Sequence, residues 1–181
     1  IVEEVSKQLT NVDAPIVVDP VAVASTGDDL TQSGFAEVLD DFIRERATLV
    51  TPNRGEAQQL LGESIAEGWW AAAQLADMLD CAVLLKGGHF EGEESIDWLA
   101  AYGGLDAIRS PRIEGLDVHG TGCAYSAAIA AQLAAGERLH NAVLKARSYL
   151  HEALVNHYQW GELKALANPA NPAQIGECPD S

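Results

Sequence analysis

The chain has 181 residues, 48% of them hydrophobic, and carries a formal net charge of −16, with 11 Lys and Arg against 27 Asp and Glu. This length and apolar content predict one domain with a sizeable core. The charge argues against a nucleic-acid partner, which needs a basic surface, and no apolar run approaches the length of a membrane span. Val2, Val5 and Leu9 recur at helical spacing and predict a helix over residues 1–10. Ile16, Val17 and Val18 form a short β-branched strand ending in Asp19-Pro20. Asp19 either caps the turn before Pro20 or stands at a sheet edge as a magnesium or phosphate-site residue. Beyond a loop containing Ser25-Thr26-Gly27-Asp28-Asp29, Ser33 caps a helix with Phe35, Val38, Leu39, Phe42 and Ile43 on its apolar face.

A second strand over residues 48–50 breaks at Thr51-Pro52-Asn53, and the helix over residues 54–61 is stopped by Gly62. Asn53 and Glu56 stand at capping-box spacing. The same pair, facing the cleft of Asp19, would also suit a hydrated magnesium ion. A third amphipathic helix is predicted over residues 65–79, with Ile65, Trp69, Ala72, Ala73, Ala76 and Leu79 at core spacing. The buried strand over residues 81–85 ends in Lys86-Gly87-Gly88-His89. Lys86, directly after an apolar run, either snorkels to the surface or meets an anionic partner. Residues 95–100 and 107–113 are strand candidates joined through Tyr102-Gly103-Gly104, as in a hairpin.

The stretch from Gly115 to Ser126 contains His119-Gly120-Thr121-Gly122-Cys123 and opens an alanine-rich helix that Gly136 ends. Gly120 and Gly122 bracket a threonine. A glycine loop at a helix start offers free backbone N–H groups to an anion, with a phosphate as the usual occupant. The plain alternative is a glycine turn feeding a helix with a small buried cysteine. Cys123, in the first helical turn, is expected to have an acidified thiol. The stretch is neither a G-x-x-x-x-G-K-[ST] loop nor a G-x-G-x-x-G fingerprint, since Tyr125 replaces the third glycine. A last helix is predicted over residues 139–158.

The element order predicts an α/β fold, a three-layer domain with a mostly parallel sheet over residues 1–160, followed by a loose tail over residues 161–181. Asp19, Asn53, Glu56, Lys86 and the 119–123 loop all follow strands or open helices, so one cleft along the C-terminal sheet edge could collect them. Three cysteines without a C-x-x-C pair argue against a zinc site or a disulfide framework and suit a reducing, cytoplasmic setting, with Cys178 inert. The chain starts at Ile1 and its one methionine is Met78, so a processed chain or a piece of a longer one is expected.

Val18-Asp19-Pro20-Val21 with Ser25-Thr26-Gly27-Asp28, Thr51-Pro52-Asn53-Arg54-Gly55-Glu56-Ala57, Leu84-Leu85-Lys86-Gly87-Gly88-His89 and His119-Gly120-Thr121-Gly122-Cys123 occur in one order. In that order they resemble hydroxymethylpyrimidine/phosphomethylpyrimidine kinases of thiamine biosynthesis, within the ribokinase-like superfamily. The resemblance runs from about Ile16 to Leu154. Cys123 is its specific mark, because most ribokinase-like sugar kinases carry an aspartate there. It implies a ribokinase-like fold, with this chain as the C-terminal two-thirds and the N-terminal strands missing. It further implies transfer of the ATP γ-phosphoryl group to a pyrimidine hydroxymethyl and then to its monophosphate, with Mg2+.

Carried onto this chain, Gly120, Thr121 and Gly122 would form the anion hole, and Cys123 would accept or position the hydroxyl proton. Asn53 and Glu56 would serve magnesium and phosphate. Asp19 and Lys86 would lie near the nucleotide phosphates, with Gly88 and His119 on the ATP side. Ala22 and Ser25 depart from the family's usual methionine and lysine, which would widen the substrate side or remove a phosphate contact. A companion N-terminal segment or a homodimer would cover the open sheet edge. Pyridoxal or pyridoxine kinase activity, and a non-catalytic nucleotide-binding remnant, are the alternatives.

Overall fold

The protein is described here from a computed structural model, which covers residues 2–9, 12–21, 35–89, 94–113, 118–161 and 163–168. The Ser25-Thr26-Gly27-Asp28 motif, the Ser33 cap, Ala22, Gly115 and Cys178 lie outside the described residues. So do the side chains of Phe35, Val38 and Leu39.

Short β-branched and aliphatic runs make the central strands, and alternation along them divides two cores. Strands β1 (Val17–Val18), β2 (Leu49–Val50) and β3 (Ala82–Leu85) pair in parallel, with Val18 opposite Val50 and Val50 opposite Val83. β4 (Glu94–Ala101) pairs antiparallel with β3, and β5 (Gly104–Pro111) antiparallel with β4, giving the order β1-β2-β3-β4-β5. The sheet is therefore parallel through its first three strands and closes with an antiparallel hairpin. The hairpin turn is Tyr102-Gly103, both at positive φ (53° and 76°). Gly104 thus belongs to the strand rather than to the turn, and β5 starts earlier than its apolar run suggests, because a two-residue turn of this kind matches the twist of the strands.

Two helical layers cover the sheet. Val18, Val50, Val83 and Leu85 face helices α2 (Phe35–Arg46), α3 (Arg54–Leu61) and α4 (Gly68–Leu79). Leu49, Leu84, Leu99 and Ile108 face α5 (Thr121–Ala134) and α6 (Leu139–Val155). Period-two alternation accounts for this division: Val83 and Leu85 point one way and Leu84 the other. The three layers are the architecture that the element order predicts. Helix α1 (Val2–Leu9) packs Leu9 onto the first core, and Arg46 at the end of α2 donates to the Leu9 and Val12 carbonyls at 2.8 and 2.7 Å.

Three local expectations change. Helix α4 begins at Gly68, so the fully buried Ile65 packs from the preceding loop. Trp69, expected on the core face, is 46% exposed, and Trp70 packs inward instead. Helix α6 ends at Val155, and a hairpin of β6 (Tyr158–Trp160) and β7 (Leu163–Ala165) follows, turning at Gly161 with φ 60°. The tail boundary expected at residue 160 falls inside this hairpin. Ala167 beyond it is buried, its N–H donating to the Ala153 carbonyl at 3.1 Å, so the chain stays attached to α6 through that point.

Candidate active site

The C-terminal ends of the three parallel strands and the start of α5 enclose a cleft of about 680 Å³. Asp19, Asn53, Glu56, Lys86, Gly88, His119, Gly120, Thr121, Gly122 and Cys123 all line it. Every site residue singled out from the sequence therefore stands on one surface. Parallel strands release their side chains along one edge, and α3 and α5 start at that edge.

Asp19 leaves β1, and Lys86 leaves β3 two strands away. The Lys86 N–H donates to the Pro52 carbonyl at 2.8 Å, which fixes the end of β3 against the turn after β2. Its ammonium donates to Asp19 Oδ1 at 2.7 Å and lies 4.0 Å from Glu56 Oε2. The buried lysine has thus found anionic partners and does not snorkel. An ion pair this little exposed persists only where both charges are compensated.

Asn53 caps α3, and the capping box is complete. Its Oδ1 accepts the Glu56 N–H at 2.9 Å, while Glu56 Oε2 accepts the Asn53 N–H at 2.7 Å. Desolvation pushes the Glu56 carboxyl upward, and Asp19 adds to that. The Asn53 N–H and the Lys86 charge pull the other way. Gly62 closes the helix at φ 71°, where a side chain would be strained.

Helix α5 starts from Gly120 at φ 83°, an N-cap residue with no side chain to cap the first turn. The N–H groups of Thr121, Gly122 and Cys123 accordingly have no intrahelical acceptor and face the cleft end of the helix. A Cβ on Gly122 would lie 3.1 Å from Lys86 Nζ. The missing side chain is what lets the ammonium stand beside the loop. One anion at this point would meet a helix N-terminus and a lysine together.

Cys123 is exposed to the cleft. The expected acidification of its thiol does not hold. Desolvation raises it, the adjacent Asp19 carboxylate raises it further by charge and by hydrogen bonding, and Lys86 only partly offsets these effects. The nearest carboxylate outweighs the nearest cation because Lys86 is already paired with it.

Sequence reasoning missed a second tier of residues. Thr51 is fully buried; its hydroxyl shares a 2.8 Å hydrogen bond with Ser126 and lies 3.3 Å from Asp19 Oδ1. Ser126 donates to the Gly122 carbonyl at 3.0 Å, so the anion loop is tied to the end of β2. Asp97 of β4 is 1% exposed and lies beside Arg147 of α6, Tyr125 of α5 and Ser110 of β5, all on the cleft wall. A signal for Asp97 was present: Ser95 and Asp97 occupy the inward phase of a strand whose next inward residue is Leu99. Among the described residues no group of three His, Cys, Asp or Glu is arranged to hold a metal, and no helix is long and apolar enough to cross a membrane.

Comparison with known proteins places the chain in a family. Residues 1–168 match the family model described as phosphomethylpyrimidine kinase. The hydroxymethylpyrimidine/phosphomethylpyrimidine kinase of Rhizobium meliloti is 42% identical over 144 residues, covering 76% of this chain and 53% of the relative. That of Escherichia coli is 36% identical over 159 residues, covering 85% and 60%. The chain thus spans roughly half of such relatives' length. Among solved structures, a phosphomethylpyrimidine kinase from Clostridium difficile superposes with TM-score 0.69 at 28% identity, over 84% of this chain and 63% of that one. A Bacillus subtilis pyridoxal kinase in an ADP complex superposes with TM-score 0.82 at 23% identity, over 97% and 67%, which shows the shared fold alone.

Proposed function

The chain belongs to the phosphomethylpyrimidine kinase family, and from that premise we propose that it phosphorylates the hydroxymethyl group of 4-amino-5-hydroxymethyl-2-methylpyrimidine, and then the monophosphate, with ATP in thiamine biosynthesis. The observation that carries this reading is the meeting of the Lys86 ammonium with the side-chain-free Gly122 at the start of α5. Phosphoryl transfer leaves little covalent work to the protein, and its largest need is fixed positive charge around the migrating group. Lys86 and the N–H groups of Thr121, Gly122 and Cys123 supply that charge at one point. Gly88 and His119 extend the cleft on the nucleotide side.

Magnesium in such reactions neutralises phosphate charge and keeps several waters, with only one or two carboxylates from the protein. The donor set fits this pattern. Glu56 would hold the ion's water shell with the carboxylate oxygen that the capping box leaves over, and Asn53 would hold Glu56 in place. Asp19 lines the same cleft, and among the described residues its buried Oδ2 has no hydrogen-bond partner.

The acceptor hydroxyl must lose a proton as the new P–O bond forms. With its thiol pushed up, Cys123 serves to position that hydroxyl, and Asp19 is the carboxylate beside it that takes the proton. The free thiols of Cys81 and Cys123 suit a reducing, cytoplasmic setting.

Curated relatives named as pyrimidine kinases favour the pyrimidine over pyridoxal. The test is a competition assay with Mg-ATP, hydroxymethylpyrimidine and pyridoxal in one vessel, with products resolved by chromatography. Phosphorylated pyrimidine is the expected product; phosphorylated pyridoxal alone would replace this reading with the alternative.

A further inference from the structure

Lys86 reaches Asp19 and Gly122 only if the chain leaves β3 along one path, and the structure shows what sets that path. The peptide immediately after Lys86 is held by a side chain from another strand. The Gly87 N–H donates to Asp97 Oδ1 at 2.7 Å. Gly87 also lies directly on β4: a Cβ there would come within 2.0 Å of the Ile96 carbonyl oxygen. Glycine is therefore required for the approach that makes the hydrogen bond.

Asp97 is 1% exposed, so its charge must be met inside the protein. Arg147 of α6 meets it, with Nε 3.5 Å from Asp97 Oδ2. The same guanidinium donates to the Ser110 hydroxyl on β5 and lies 5.8 Å over the ring of Tyr125, in the second turn of α5. One buried carboxylate thus joins the Lys86 loop, both strands of the hairpin and the two helices behind the anion loop. None of these contacts involves the cleft residues assigned to phosphate.

We propose that Asp97, held by Arg147, is a positioning residue that aims the Lys86 ammonium at Asp19 and the Gly122 loop by fixing the Gly87 peptide. Its effect on turnover rests on the phosphotransfer reading above; its effect on Lys86 does not. Supporting hydrogen bonds of this kind decide how closely a charged group is held to its working position.

The chain has four lysines, so NMR with lysine isotope-labelled at Cε gives a spectrum in which Lys86 is assigned by the loss of one signal in Lys86→Met. Asp19→Asn, which removes the direct partner, sets the scale of the Lys86 displacement. Asp97→Ala is expected to move the Lys86 signal by at least half as much. Asp97→Asn keeps an oxygen for the Gly87 N–H and is expected to restore most of it. A Lys86 signal unmoved in Asp97→Ala, or an asparagine variant no better than alanine, overturns the proposal. Should Asp97→Ala not fold, Arg147→Gln decides: the signal moves in the same direction if the proposal holds and stays in place if it does not.

Turnover is measured alongside. Asp97→Ala is expected to lower kcat at least tenfold, and to add less than twofold to the loss already caused by Lys86→Met, because both act through one group. Independent, multiplying losses contradict the proposal. A moved Lys86 signal in a protein without phosphotransfer removes the kinase reading and leaves the positioning role standing.

Discussion

Lys86 and Asp19, just past the ends of strands separated by β2, meet at 2.7 Å with side chains 11% and 16% exposed. Glu56 lies 4.0 Å from the same ammonium, so one cation compensates two carboxylates. Lys86→Met leaves both uncompensated and is expected to cost about 3 kcal/mol of stability, the usual scale for breaking a buried pair. The pH dependence has a definite sign. Glu56 has a raised carboxyl in the folded state, so its contribution is fully present below the ordinary carboxylate range and is lost as pH rises through the folded value. Removing Lys86 raises it further. Urea denaturation is therefore expected to show the variant's deficit shrinking as pH falls from about 7 to 5. A deficit that grows on acidification contradicts the assignment.

Gly122→Ala separates stability from function. A helical glycine replaced by alanine gains up to about 1 kcal/mol in helix propensity. The added methyl meets Lys86 Nζ at 3.1 Å. The melting temperature is expected to change little, the propensity gain being offset by the shifted ammonium, while phosphoryl transfer falls about tenfold or more, the scale for disturbing one charge-stabilising group. Equal turnover in the two proteins would remove Gly122 and Lys86 from a shared anion site.

The two glycines after Lys86 are expected to differ sharply. A Cβ at Gly87 runs into the Ile96 backbone at 2.0 Å, whereas one at Gly88 has nothing within 4 Å. Backbone cannot step aside as a side chain can, so Gly87→Ala is expected to lose about 3 kcal/mol or more and Gly88→Ala under about 0.5 kcal/mol. Denaturation midpoints of the two variants check this directly.

Much of this arrangement is legible in the sequence because it is local. Asn53 and Glu56 announce a capping box by their spacing, and Gly62 ends the helix they start. Asp19, Lys86 and Gly120 each follow a strand or open a helix, and a parallel sheet brings such ends together. The rest depends on contacts across the fold. The sequence reads as helix to Tyr158 and as loose tail from residue 161, yet Tyr158–Trp160 and Leu163–Ala165 pair as a hairpin. Trp69 and Trp70 are equally apolar, and only the rotation of α4 decides which is buried. The state of the Cys123 thiol turns on Asp19, about a hundred positions away in sequence and adjacent in space. Its position at a helix start, read alone, pointed the wrong way.

That thiol sets a further expectation. If the Cys123 thiolate took the acceptor proton, turnover would climb with pH above the ordinary thiol range, since its titration is displaced upward. With Cys123 as the positioning group, its displaced titration does not govern kcat, and no such alkaline rise is expected. Cys123→Ser, which keeps a short polar side chain, should then retain more activity than Cys123→Ala. A steep alkaline rise that disappears in Cys123→Ser would return the proton to the thiolate.

The most direct measurement of the central claim is transfer from excess Mg-ATP to hydroxymethylpyrimidine over many turnovers, followed by phosphorus NMR, for the wild-type chain and for Lys86→Met. The account predicts pyrimidine monophosphate and then diphosphate from the wild type, with at least a hundredfold loss in the variant, the scale on which removing a positioned charge-stabilising group acts. Nucleotide bound in the cleft with neither pyrimidine phosphorylated, or equal transfer by both proteins, would contradict it.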